Sequence, residues 1–349
     1  MTPPRGGSRG GGGGGAKKSG KKPLSAAAKK AVEAKKIRHA AASVRKADRP
    51  GAARAASRPS APGRGAGKGG APGRGGAGGG GRSSGPPRKQ GAARGLGGDQ
   101  VEGRQAVREL LLAGNRRIRE IIVAEDQDDT EVLQDIVDLA QDLKVPVREV
   151  TRTRLFAEAR TESPQGVVAH AAELEDVDLD QLARTKSPQG APPFLLAVDG
   201  VTDPGNLGAL LRSAECAGVT GVVLPKHRAV HITPTVTKAA AGAVEYLPMA
   251  LVGGLPTALR QLRDAGVWVI GLDMGGDTDL FDLEVADQPV CLVLGAEGKG
   301  LSRLVRERCD AVAGIPLLGQ LASLNVSAAG ALACFEVTRR RLAATKAAG

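Results

Sequence analysis

The chain has 349 residues, a formal net charge of +12, only 2% aromatic residues and four cysteines. Residues 1–100 carry 23 of the 49 basic residues, 27 of the 50 glycines and just three acids (Glu33, Asp48 and Asp99); the rest of the chain is net acidic. The cysteines form no C-x-x-C pair, and the histidines (His39, His170, His227, His231) lack metal-ligand spacing. A disulfide frame and a metal site are therefore not expected, and the composition reads as a reduced, cytoplasmic protein. No apolar stretch reaches the ~18 residues that span a bilayer, and the first residues lack the apolar core of a secretion signal, so no membrane partner is expected.

Residues 1–100 contain no aromatic residue and too little apolar surface to offset chain entropy, so this basic Gly/Arg/Lys-rich tail is expected to be disordered. Such an arm suits phosphate backbones, which it attracts without regard to sequence. Leu24–Ala47, rich in Ala and Lys, is not expected to hold a helix alone in water but could become helical on a partner. A G-x-G-x-x-G match at Gly65–Gly70 has no flanking strand or helix and carries no meaning.

Order is expected from near Val101. Residues 101–172 alternate helix and strand patterns: helix 105–113, strand 119–124, helix 131–143, strand 145–150, helix 153–160 and strand 166–171. This is enough chain for a small α/β domain. Residues 173–192 are acidic, then bear Ser, Pro and Gly, and read as a linker. Residues 193–345 form a larger α/β pattern. Phe194–Val198 and Val290–Leu294 are continuous apolar runs, as in strands covered on both faces. Strands at 221–224, 267–272 and 312–315 alternate with helices at 206–217, 235–243, 255–265, 301–309 and 323–342. That alternation predicts one parallel sheet with helices on both faces.

Three stretches at strand ends carry polar chemistry. D-P-G-N-L-G-A-L-L-R (203–212) is a turn feeding a helix start. Alone it reads as a capped helix with a solvated Arg212. G-A-E-G-K-G-L (295–301) sets glycines around Glu297 directly after a buried strand, where main chain approaches ligands closely. It lacks the spacing of a phosphate-binding loop. S-L-N-V-S-A-A (323–329) opens an Ala-rich helix; an N-cap explains Ser323 but not Asn325.

Taken together, the three stretches closely resemble the signature motifs of the SpoU (TrmH-type) family of SPOUT RNA 2′-O-methyltransferases, over about Phe194–Arg341. Residues 101–171, with G-R-Q-A-V (103–107) and Q-G-V (165–167), are similar to the ribosomal-protein-like RNA-binding domain that precedes it. The two-domain layout and I-P-L-L-G (315–319) are similar to members that modify a guanosine of 23S ribosomal RNA. The resemblance implies an α/β fold with a deep trefoil knot beyond Val290, a homodimer with a shared active site, and S-adenosylmethionine held by main chain at Gly295, Ile315, Leu317 and Leu324. It further implies that Arg212 meets the ribose hydroxyl, Asn206 orients Arg212 or the ribose, Glu297 fixes the loop and the arginine, and Ser323 and Asn325 line the pocket. Arg341 becomes a candidate phosphate contact, with Arg339 and Arg340 as equals. A transfer-RNA substrate and a non-catalytic ribosome-assembly role are the alternatives. A Rossmann dehydrogenase is disfavoured, since no G-x-G-x-x-G follows an early strand.

Overall fold

The computed structural model describes residues 95–227 and 231–348, and the expectations for residues 1–94 lie outside the described residues. The described chain is organised earlier than the expected start near Val101. Leu96 is buried in the core of the larger sheet, and Ile232 N–H donates to its carbonyl at 3.0 Å. A first strand, β1 (Gln100–Glu102), follows it.

The first unit continues through α1 (Arg104–Ala113), β2 (Ile118–Ala124), α2 (Glu131–Asp142), β3 (Val147–Val150), α3 (Arg152–Glu158) and β4 (Val167–Ala171). Its four strands run in the order β1-β4-β2-β3. Leu110, Ile136 and Leu139 of α1 and α2 pack on one face; Leu155 of α3 packs on the other. Thr130 caps α2 by accepting from Leu133 N–H, as a Thr before an amphipathic run should. Residues 173–192, expected as a linker, are instead packed. They include a helical turn, α4 (Leu179–Leu182), whose two leucines are buried against the larger sheet.

The larger unit contains β5 (Phe194–Val198), α5 (Pro204–Cys216), β6 (Gly221–Pro225), α6 (Pro234–Ala239), β7 (Met249–Val252), α7 (Leu255–Asp264), β8 (Trp268–Leu272), β9 (Thr278–Asp279), β10 (Val290–Leu294), α8 (Arg303–Arg306), β11 (Ala311–Gly314) and α9 (Val326–Ala348). Seven strands, all parallel to their neighbours, run in the order β7-β6-β5-β10-β8-β11-β9. The apolar run of β5 divides by parity: Phe194, Leu196 and Val198 face α5, α6 and α9, while Leu195 and Ala197 face α4 and α7. Several expected helices have other bounds, among them 235–243, which is only α6 and ends at Ala239. The one expected at 301–309 is only α8, because Leu301 N–H and Ser302 N–H donate to the carboxylates of Asp273 and Asp199. The C-terminal helix begins at Val326 rather than Ser323.

The two units are joined by a buried ion pair. Arg116, in the turn before β2, donates Nε–H to Glu245 Oε2 at 2.9 Å and Nη2–H to Oε1 at 2.5 Å. Its other nitrogen donates to the carbonyls of Gly98 and Ala172. Asn115 donates to the Glu245 carbonyl at 2.7 Å, and the Tyr246 hydroxyl bonds Glu109 at 2.8 Å. The Glu245 side chain is wholly buried, and burial raises its pKa against the opposing pull of Arg116. Among the described residues no helix is long and apolar enough to cross a membrane.

Breaking a buried pair strands a charge, which costs about 3–5 kcal/mol. Arg116→Ala should lower stability by that order in denaturant unfolding, and an Arg116→Met/Glu245→Met double variant by less. Without Arg116 the folded pKa of Glu245 stands further above its ordinary value of 4.5. The variant's deficit should therefore grow as pH rises through that folded pKa and shrink below 4.5, where both states are protonated. A pH-independent deficit would contradict this.

Candidate active site

The parallel strands β8, β10 and β11 end side by side, and the loops that follow them enclose a cavity of about 650 Å³. Its walls are residues 272–274 after β8, the 295–300 loop after β10, and the segment from Ile315 to Leu324 between β11 and α9. A cavity at the carboxyl end of parallel strands lies where open α/β sheets bind ligands.

The middle loop is closed on itself. Ala296 N–H donates to the Gly300 carbonyl at 3.0 Å, and Gly300 N–H to the Ala296 carbonyl at 2.9 Å. Gly295 is required by this closure: a Cβ there would stand 2.2 Å from the Gly300 carbonyl carbon. The closure brings the loop's main chain to the cavity wall, with Glu297 as its one charged lining side chain. Asp273 anchors its exit by accepting from Leu301 N–H at 3.2 Å, and also pairs with Arg306 at 3.2 Å.

One side-chain relay ties the three sequence stretches together. Asn206 Nδ2 donates to Glu297 Oε2 at 3.1 Å, and Asn325 Nδ2 donates to Asn206 Oδ1 at 2.9 Å. Asn325 Oδ1 then accepts from Ser327 N–H at 2.9 Å and from the Ser327 hydroxyl at 2.6 Å. Asn325, not Ser323, therefore caps α9, and the helix starts where that cap is made. Asp203 caps α5 in the same way, accepting from Asn206 N–H at 2.6 Å. Position 206 contributes its main chain to one cap and its side chain to the relay.

The cavity is lined by Gly295, Ile315, Leu317, Leu324, Glu297 and Ser323, all expected there. Asn206 stands beside it through its bond to Glu297, and Asn325 through its bond to Asn206. Arg212 is not among the lining residues. It lies six positions beyond Asn206 on α5, about 9 Å along the axis and on another face. It is exposed, and the structure gives it no hydrogen bond or salt bridge. Glu297 bonds Asn206, so the expected hold of Glu297 on the arginine is not present in this chain. Arg341 is also placed differently from expectation. It donates to the carbonyls of Pro192, Pro193 and Gln288 and lies 5.1 Å from the Phe194 ring centroid, at the far end of β5. Arg339 and Arg340 pair with Glu336 at 2.8 and 2.7 Å.

No cysteine lines the cavity. Burial pushes the Cys334 thiol up to about 12 and, with Asp310 adding to it, Cys309 to about 11; Cys291 is raised as well. Cys216 is exposed, and partial desolvation with Glu215 raises it too. Among the described residues no group of three or more His, Cys, Asp or Glu is placed to hold a metal. Two acids escaped the sequence reading, Asp199 and Asp273. Each directly follows a five-residue strand, β5 or β8, and that shared position was the signal available.

The sequence profile of the SpoU rRNA Methylase family matches residues 193–335, and that of RNA 2′-O ribose methyltransferase substrate binding matches residues 100–177. The chain is 37% identical over 246 residues to the 23S rRNA (guanosine-2′-O-)-methyltransferase RlmB of Photobacterium profundum, which spans 70% of this chain and 98% of that protein. It is also 37% identical over 243 residues to YacO of Bacillus subtilis, whose name places it in the TrmH family of tRNA/rRNA methyltransferases; 70% of this chain and 96% of that protein align. Among solved structures, the SpoU methyltransferase AviRb of Streptomyces viridochromogenes superimposes with a TM-score of 0.58 at 25% identity, covering 70% of this chain and 90% of that one. An AdoMet-bound rRNA methyltransferase from Sinorhizobium meliloti does so with 0.57 at 26%, covering 69% and 87%.

Removing Asn325 should cost about 0.5–2 kcal/mol through the lost cap. The Asn206→Ala and Asn325→Ala losses should be non-additive by at least about 0.5 kcal/mol in a double-mutant cycle, because each amide orients the other. Simple additivity would show that the relay does not couple the loops.

Proposed function

The chain belongs to the SpoU rRNA methylase family, and from that premise we propose that it methylates the ribose 2′-oxygen of a guanosine in 23S ribosomal RNA, in the cytoplasm. Its class is that of an RNA methyltransferase using S-adenosylmethionine as donor. The finer substrate rests on one observation: the alignment to RlmB runs through both units at 37% identity and covers 98% of that protein. A transfer-RNA substrate is the second reading, favoured by the equal match to YacO.

The cavity fits this donor. Apolar Ile315, Leu317 and Leu324 suit a flat heteroaromatic ring, the main chain around Gly295 suits its polar edges, and Glu297 and Asp273 at the wall suit a cation. When bound, S-adenosylmethionine supplies an electrophilic methyl carbon. The protein's part is to orient the ribose hydroxyl and favour loss of its proton. Arg212 stays protonated at any working pH, so it is not a general base. Its role in this reading is to hold the hydroxyl or the adjacent phosphate and to stabilise developing negative charge. Asn206, Glu297 and Asn325 keep the ribose side of the cavity in register, with Ser323 on its wall.

Arg212 lies outside its own chain's cavity, which supports a homodimer in which a second copy brings that side chain to the donor. Exposed apolar residues support the same arrangement. Leu318 and Leu321 are 100% and 81% exposed, and Leu332, Phe335 and Leu342 form an outer stripe on α9. The insertion of β10 between β5 and β8 supports a knotted path beyond Val290.

In calorimetry, Gly295→Ala should lose affinity for S-adenosylmethionine, since the added methyl displaces the loop. Arg212→Ala should bind it as the parent does, yet lose turnover by about 10²–10³. Mixing the two inactive variants should restore activity if Arg212 works across the dimer; no recovery would place it in its own subunit's reaction or outside the reaction. A Leu332→Asp/Phe335→Asp variant should run as a monomer in light scattering and be inactive.

A further inference from the structure

A second cavity, of about 510 Å³, opens on the N-terminal unit, away from the loops just described. Arg104, Arg152, Phe156, Ser163 and Gln165 are among its walls. Its chemistry differs from the rest of that unit. Arg108, Arg116, Arg148, Arg154 and Arg160 each pair with a carboxylate. Among the described arginines of residues 95–177, only Arg104, Arg117, Arg119 and Arg152 have no such partner, and two of these four face this one cavity.

Arg104 is held in place by neutral acceptors alone. It donates to the Gln165 carbonyl at 3.2 Å, to Thr130 Oγ1 at 3.1 Å and to Gln127 Oε1 at 3.0 Å. Its charge stays uncompensated, and one N–H on each terminal nitrogen remains for a ligand. This arrangement depends on Gly166, which has φ of +74°; a Cβ there would lie 2.3 Å from Gln127 Oε1 and drive that amide off the arginine. Opposite, Arg152 and Phe156 stand four residues apart on one face of α3. Phe156 is 48% exposed, in a chain with only four phenylalanines. A fixed cation, a cation without a carboxylate partner and an exposed ring around one hollow match the two parts of an unpaired nucleotide, its phosphate and its base.

We propose that this cavity is a nucleotide subsite of the RNA substrate: an unpaired base stacks on Phe156 while Arg104 and Arg152 take the flanking phosphate. The proposal rests on the RNA-methyltransferase reading and adds a second, remote point of substrate recognition. Because Arg116 and Glu245 fix the two units, a nucleotide held here sets which ribose reaches the catalytic cavity. Phe156 and Arg152 are binding residues, and neither touches the reacting atoms.

The test uses the full chain and a fluorescein-labelled single strand of about ten mixed ribonucleotides, with the same sequence in a duplex as control. In fluorescence anisotropy, Phe156→Ala should weaken single-strand binding about tenfold, with little change on the duplex, while Phe156→Trp retains affinity. Arg152→Gln should reduce the slope of log affinity against log salt by about 0.7. S-adenosylmethionine affinity should be the same in all three variants. Unchanged single-strand binding by Phe156→Ala overturns the proposal, and so does an equal loss on the duplex. If ribosomal RNA is not methylated by the parent protein, the substrate reading fails, whereas the oligonucleotide result still decides the subsite.

Discussion

The site depends on the fact that a carboxylate only accepts hydrogen bonds. Glu297 therefore turns the Asn206 amide nitrogen toward itself, which leaves the Asn206 oxygen facing Asn325. Asn325 must then donate with its nitrogen, and its oxygen is left to cap α9. Three loops that are distant in sequence are set by one acceptor and two amides. The ends of α5 and α9 are fixed by the same bonds, so packing between these two helices and the geometry of the cavity are one problem. Further along, Leu210 lies where a Cβ on Gly330 would strike it, and Thr338 donates to the Ala217 carbonyl at 2.6 Å. Contact of α5 with α9 thus continues from the relay to the C-terminal end of α5.

The same logic links the two units. The chain passes from Leu96 in the large core through β1 in the small sheet, and returns by way of Leu174, Leu179 and Leu182 to the large one. The chain enters and leaves the small unit next to Arg116, which holds the carbonyls of Gly98 and Ala172 on either side of that crossing. A substrate-binding unit attached by a buried charge pair presents RNA at a fixed distance from the cavity, which a flexible tether would not do. Recognition and chemistry are then joined by structure and not by chance encounter.

Much of this was legible in the sequence, for identifiable reasons. Strands such as Phe194–Val198 and Val290–Leu294 were readable because burial on both faces leaves an unbroken apolar run. The strand Gln100–Glu102 was not, because two of its three side chains are polar. Both are buried and satisfied: Gln100 donates to Glu102 and to the Glu158 carbonyl, and Glu102 accepts from Arg160 and Thr161. Met249–Val252 was missed because four residues between a proline and a Gly pair carry too little periodicity. Motif residues around the cavity were found from glycines and amides at strand ends. The partner of each was not, since Asn206 and Asn325 are 119 positions apart and Arg116 and Glu245 are 129 apart. Spacing along a chain does not report such pairs. Arg212 shows the limit from the other side: its motif is readable, but its position off the cavity wall, six residues beyond Asn206, is not.

The most direct measurement is to incubate the purified chain and S-adenosylmethionine with unmodified ribosomal RNA and map ribose methylation by mass spectrometry. The account predicts one new 2′-O-methylguanosine in the 23S species. A product methylated on a base, or no modified nucleotide at all, would contradict it.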